Sequence, residues 1–232
     1  MMNEAGRWLA RHQAVTGLAL LVAMALPPLR SLLEARMSSH MLLQFPVLLL
    51  AGALLAGAIP PAVRQRLQGW NAHGMAGLVF AALVLALSMV PRLLDLVLVN
   101  PLVEAVKFAA LLLCGVALRG SWRRAGLGLQ AFFLGNTLPM MAVAGWLYET
   151  ASVRLCNAYR LDEQVWLGQT LSWTAAGIAA LWLGRITWRM SRQDPRDALA
   201  ITHGALLAGA GHTQRSPDAK PGTGRPMQAV HK

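Results

Sequence analysis

Charge is scarce in this chain. Asp, Glu, Lys and Arg make up 13% of its 232 residues, against about 25% in ordinary soluble domains. Acid is scarcer still, with ten Asp and Glu against 21 Lys and Arg. Cysteine is limited to Cys114 and Cys156, far apart and without a CxxC framework. No CxxCH, P-loop or HExxH motif occurs, and no nucleophile–base pair is legible. These absences disfavour an enzyme, and the chain reads as a non-catalytic protein.

What is present is hydrocarbon. Apolar residues account for 56% of the chain, gathered into runs such as Met41–Ile59, Met75–Val90, Leu127–Tyr148 and Val165–Gly184. A run of roughly 18 or more apolar residues satisfies its own backbone as a helix across about 30 Å of bilayer. The sequence therefore predicts an all-α, polytopic transmembrane bundle over residues 1–184, with about six spans. They fall near Gln13–Leu29, His40–Pro60, His73–Val90, Pro101–Leu118, Gly126–Tyr148 and Gln164–Gly184. Asn100 followed by Pro101 is a helix-start signal for the fourth. Arg7 and Arg11 ahead of a short apolar run and Ala23-Met24-Ala25 resemble a signal peptide, but Pro27 and Pro28 favour an uncleaved first helix.

The basic residues then orient the bundle. Seven flank the spans on the side of the termini against five on the other, and the tail adds eight more. The positive-inside rule places both termini in the cytoplasm, in a multi-pass protein of a bacterial inner membrane. The net charge of +11 thus reflects membrane-flanking loops beside lipid, with no nucleic-acid partner. Residues 185–232 form a basic tail whose composition predicts disorder from Ser191 onward, apart from a short surface helix over Ala198–Ala210.

Polar and sulfur-bearing residues gather at one depth, the expected outer side. Met37, His40, Met41 and Gln44 share one helix face by their spacing of three and four. Met89 ends the third span, with Arg92 and Asp95 after it. Met140 and Met141 fall in the outer half of the fifth, beyond Asn136 and Pro139. Thioether and imidazole together suit a soft cation such as Cu(I), although methionine is also an ordinary gap-filler in membrane helices. Glu104 and Lys107, charged within the fourth span, either pair with each other at i and i+3 or face the bundle and hold a site. His12 and His73 satisfy the depth requirement of bis-histidine haem only loosely. Pro46 leaves a carbonyl unpaired one turn into the second helix. Trp146, Tyr148, Trp182 and Trp188 read as interface anchors.

The stretch Ser39-His40-Met41-Leu42-Leu43-Gln44-Phe45-Pro46 resembles the outer-helix motif of the CtaG-like cytochrome c oxidase assembly proteins. There a His-Met pair precedes a Gln-His pair in a leucine-rich helix. His40, Met41 and Gln44 match, while Phe45 stands where the second His would be and removes one ligand. Trp70–Gly74, Val90–Asp95 and Arg154–Tyr159 are similar to segments of uncharacterised proteobacterial membrane proteins. The resemblance implies an inner-membrane accessory protein that binds or delivers Cu(I), with a respiratory oxidase or copper chaperone as partner. His40, Met37 and Met41 would be ligands, joined by Met89, Met140 or Met141, with Gln44 behind them. Two readings compete. In a small transporter, Arg92, Asp95, Glu104 and Lys107 would line a polar path, although no inverted repeat or pair of broken helices is evident. In a structural subunit of a larger membrane complex, Ala53 and Gly57 would support close helix packing.

Overall fold

A computed structural model describes the backbone of residues 4–211 and the side chains of residues 12–191, Gln68 excepted. Among the described residues every regular element is helical, with no strand. We number the helices α1 (Glu4–Ala25), α2 (Pro27–Glu34), α3 (Met37–Ala58), α4 (Pro61–Trp70), α5 (Met75–Ser88), α6 (Pro91–Val99), α7 (Pro101–Trp122), α8 (Leu127–Thr150) and α9 (Leu161–Gly211).

Three of them, α3, α7 and α8, are long and apolar enough to cross a membrane. Two further candidates are bent pairs: α1 with α2 at 69°, and α5 with α6 at 77°. The described helices thus supply three to five candidate spans rather than six. The expected first span stops at Ala25, because Pro27 and Pro28 cannot continue the helix and instead open a new one at its first turn. Pro91 does the same after Ser88. Broken helices are therefore present as a pair, against the sequence expectation. The sixth expected span lies within α9, which is not among the candidates; Gln164, Gln169, Thr170, Ser172 and Thr174 dilute its apolar run.

Asn100 caps α7 as expected, its side-chain oxygen accepting from the amides of Leu102 (2.9 Å) and Val103 (3.4 Å). Pro46 does not simply leave a gap. The turn before it, His40–Gln44, is a π-helix, in which each carbonyl pairs one residue further along. That wider turn precedes the residue with no amide hydrogen to give, and it buries His40, Met41 and Gln44 together.

The core is framed by α3 and α7. A Cβ on Gly52 would strike the carbonyl of Leu112, and one on Gly115 would strike that of Leu49, so the two helices cross backbone to backbone. Small residues permit such an approach in membrane proteins. α1 packs on α3, where Gly17 meets the carbonyl of Ala51, and α5 packs on α7, where Cys114 lies under the carbonyl of Ala81. Tyr148, expected as an interface anchor, is buried instead; its hydroxyl donates to the carbonyl of Met89 (2.9 Å), a group left over where α5 ends. Trp146 is exposed.

The chain divides into two units, Met1–Leu181 and Trp182–Lys232. In the second, the helix expected over 198–210 is part of a longer one, helical through 192–197 and on to Gly211. The disorder expected for 212–232 lies outside the described residues.

Candidate functional site: a buried ammonium held by three acceptors

Where α2 meets α3 and α7, four charges and three neutral polar groups close on one another. α2 is short and amphipathic, so its charged face must find partners as its Leu33 enters the core. Arg30 binds Glu104 of α7 (2.9 Å) and approaches Glu34 one turn on (3.7 Å). Glu34 binds Lys107 (3.1 Å). Glu104 and Lys107 therefore each take their partner from α2, and the four charges sum to zero. Of the two sequence readings, the structure follows the one in which these charges face the bundle.

Lys107 is the centre. Its ammonium has three N–H bonds to give and finds three acceptors: Glu34 Oε1 (3.1 Å), Gln44 Oε1 (3.0 Å) and His40 Nε2 (3.2 Å). The Gln44 amide in turn donates to Glu34 Oε1 (3.4 Å). His40 and Gln44 are both 0% exposed and Lys107 is 9% exposed, so these bonds replace hydration rather than supplement it. Burying a charge is tolerable only when it is paired and hydrogen-bonded in this way.

The hydrogen bonds also fix the state of His40. The Tyr159 hydroxyl donates to the carbonyl of Glu34 (3.0 Å), so its oxygen is left to accept from His40 Nδ1–H (2.8 Å). Nδ1 thus carries the proton, and Nε2 offers its lone pair to Lys107. Phe45 stacks edge-on against the imidazole, with centroids 5.3 Å apart. The residue that stands in place of a second histidine is therefore a wall of the site. Tyr159 comes from the loop between α8 and α9, where burial first, and then the Glu34 carboxylate, raise its phenol above the ordinary range. It stays protonated and keeps its donor role.

The other predicted residues are dispersed. Met37 and Met41 are buried on the turns around His40. Met89 and Met141 pack partly buried against the apolar core, and Met140 is half-buried on α8. Among the described residues no thioether takes part in the hydrogen bonding of the cluster, and no group of three His, Cys, Asp or Glu side chains is placed to hold a metal ion. Asp95 is turned to the loop before α9, accepting from the amides of Asn157 (2.9 Å) and Ala158 (3.2 Å). Arg92 is exposed. Cys156, within that loop, is buried, its thiol directed at the carbonyl of Pro91 (3.7 Å) and pushed up to about 12 by burial and then by Asp95.

The arrangement does not fit a copper ion at His40. Both ring nitrogens are engaged, and the neighbour of Nε2 is an ammonium, which repels a cation and already uses the lone pair a metal would need.

Sequence reasoning missed Glu34, Arg30 and Tyr159. Glu34 sits in a segment that reads as a loop between spans. Tyr159 lies more than a hundred residues from His40, where no periodicity relates them. The available signal was amphipathic: Arg30 and Glu34, at i and i+4 after a proline pair, resemble a short helix with one charged face.

A further apolar cavity of about 250 Å³ opens in the elbow between α5, α6 and α7, lined by Phe45, Leu94, Val97, Val103 and Val106, with Lys107 forming one wall. Comparison with known proteins returned no matching family model, no matching curated protein and no matching solved structure.

Proposed function

We propose that this chain is a small multi-pass membrane transporter whose Glu34–Lys107–His40 cluster is its proton-exchange centre. The observation that carries the reading is the Lys107 ammonium, buried among helices of membrane-spanning length and bonded to a carboxylate, an amide and a neutral imidazole. Ionisable side chains buried within membrane-spanning helices are costly and characteristically line proton or substrate paths. Paired broken helices, which the transporter reading called for, support it further.

The chemistry is a proton relay. A proton passes from Lys107 Nζ to His40 Nε2, leaving a neutral amine and an imidazolium. The imidazolium releases its Nδ1 proton to the Tyr159 oxygen, and the phenol gives up its own hydroxyl proton to water once the α8–α9 loop opens and its bond to the Glu34 carbonyl is released. Glu34 compensates the charge on Lys107 before the transfer and is left to attract a new proton after it. With the orientation given by the basic loops, this loop faces the outer side of a bacterial inner membrane.

Reconstitution into liposomes containing a pH-sensitive dye tests the reading. The wild-type protein should relax an imposed pH step faster than protein-free liposomes, and Lys107→Met should return the rate to that background. A wild-type rate equal to that of protein-free liposomes contradicts it.

A further inference from the structure

The two broken helices belong to a larger pattern. Phe45, Leu48, Leu49, Leu50, Gly52 and Leu55 of α3 recur, at one constant step along the chain, as Phe108, Leu111, Leu112, Leu113, Gly115 and Leu118 of α7. The same step carries Pro28 to Pro91, the two positions at which the preceding helices are broken, and Gln44 to Lys107. Leucine-rich helices share letters easily, but the packing makes this match geometric. Gly52 faces the Leu112 carbonyl and Gly115 faces the Leu49 carbonyl, which are corresponding contacts in the two directions. Ala51 is met by α1 and its counterpart Cys114 by α5. Residues 12–58 and 75–121 are thus two copies of one unit: a helix broken at proline, a short amphipathic helix, and a return span. Contacts of Gln44 with Lys107 and of Ala53 with Arg119 show that the two return spans run in the same direction.

Contacts between the copies differ along that crossing. In the middle they are backbone on backbone, with no side chain to compress. At the end where α2 lies they are polar: Arg30 with Glu104, Glu34 with Lys107, and Gln44 with Lys107. At the opposite end Arg119 of the second copy donates to the Ala53 carbonyl (2.6 Å) and to Gln13 Oε1 (2.7 Å) of the first. A tight central contact with exchangeable polar bonds at both ends is a pivot with two latches. The cavity beside Lys107, walled by α5, α6 and Phe45 of α3, leaves α7 free volume at this end.

We propose that the two copies rock about the Gly52–Gly115 crossing, and that the Arg30–Glu104 and Arg119–Ala53 contacts are alternate latches. Opening the first uncovers the Lys107 cluster to the outer side. Parallel repeats meeting at a central site are one established basis of alternating access. This inference rests on the transporter reading for its purpose but not for its test.

The test reads access directly. In a Cys114→Ala/Cys156→Ala background, Met41→Cys places a reporter one residue from His40, at a position 5% exposed. Its labelling by a membrane-impermeant maleimide, added from the α2 side of oriented vesicles, should accelerate several-fold when Arg30→Gln and Glu104→Gln release the latch together, a pair that leaves the net charge unchanged. Bridging Arg30→Cys to Glu104→Cys with a short bifunctional reagent, before Met41→Cys is reported by a cleavable probe, should slow labelling below the parent rate. Equal labelling in the released variant at an unchanged melting temperature overturns the hinge, as does a bridged protein that labels at the parent rate. Loss of proton flux in Lys107→Met alongside such a result would retain the transporter reading and discard only the rocking.

Discussion

α2 and α6 are the same device used in two ways. Each begins at a proline after a helix of an apolar pair, lies bent by 69° or 77° from it, and turns one apolar face to the core. α2 spends its Arg30 and Glu34 on Glu104 and Lys107 inside the bundle. α6 spends Asp95 on two amides of the α8–α9 loop and leaves Arg92 in the open. The tyrosines follow the same division. Tyr159 bonds a carbonyl at the end of α2 and orders His40, whereas Tyr148 bonds a carbonyl at the end of α5 and orders nothing titratable in its hydrogen bond. A shared architecture therefore does not make two sites. Only one elbow assembles interior charge, and the other serves a loop and a cavity.

The largest effect should come from the frame both elbows share. Gly52→Leu places a side chain against the Leu112 backbone, which cannot yield as a side-chain tip would. Folded, monodisperse protein should be lost, as judged by size-exclusion chromatography in detergent; Gly120→Leu, with open space around it, should be retained.

Next comes the comparison of the acids. Removing one partner of a buried pair typically costs about 3–5 kcal/mol, so Lys107→Met or Glu34→Gln should lower thermal stability strongly. The double variant should recover most of the loss, because it leaves no charge uncompensated. Asp95→Asn keeps an acceptor for the loop amides and should cost far less. Equal losses for Glu34→Gln and Asp95→Asn would erase the distinction drawn between the elbows.

The tyrosines give a smaller, sharper contrast. Tyr159→Phe and Tyr148→Phe each delete one hydroxyl, and each should cost on the order of 1 kcal/mol, with an added cost for the group left unpaired. Only Tyr159→Phe should alter proton flux. Smallest of all, Arg92→Ala should stay within about 0.5 kcal/mol of wild type, as an exposed substitution does. Cys156 should resist maleimide at pH 8 until the protein is unfolded, since its buried thiol lies far from forming the reactive thiolate.

The long elements were legible because hydropathy and caps are local. α7 starts where Asn100 and Pro101 said it would, and α3 and α8 follow their apolar runs. The bends were hidden because a proline between two apolar stretches reads equally as a loop or as an elbow, and only packing chooses. His40, Gln44 and Lys107 were legible as unusual residues at one depth. Their meaning was not, since Glu34 and Tyr159, which define the hydrogen bonds of the cluster, come from segments with no span signal. The repeat was obscured for a related reason: its copies diverge at the site itself, where Gln44 corresponds to Lys107, and agree mainly in leucines.

The most direct test of the central claim is the ¹⁵N spectrum of the His40 imidazole in detergent-solubilised, histidine-labelled protein, assigned by its loss in His40→Gln. The account predicts a neutral ring with the proton on Nδ1 and a bare, hydrogen-bonded Nε2, unchanged by stoichiometric Cu(I) and altered by Lys107→Met. A proton on Nε2, or a signal that shifts on adding Cu(I) while Lys107 is intact, would contradict it.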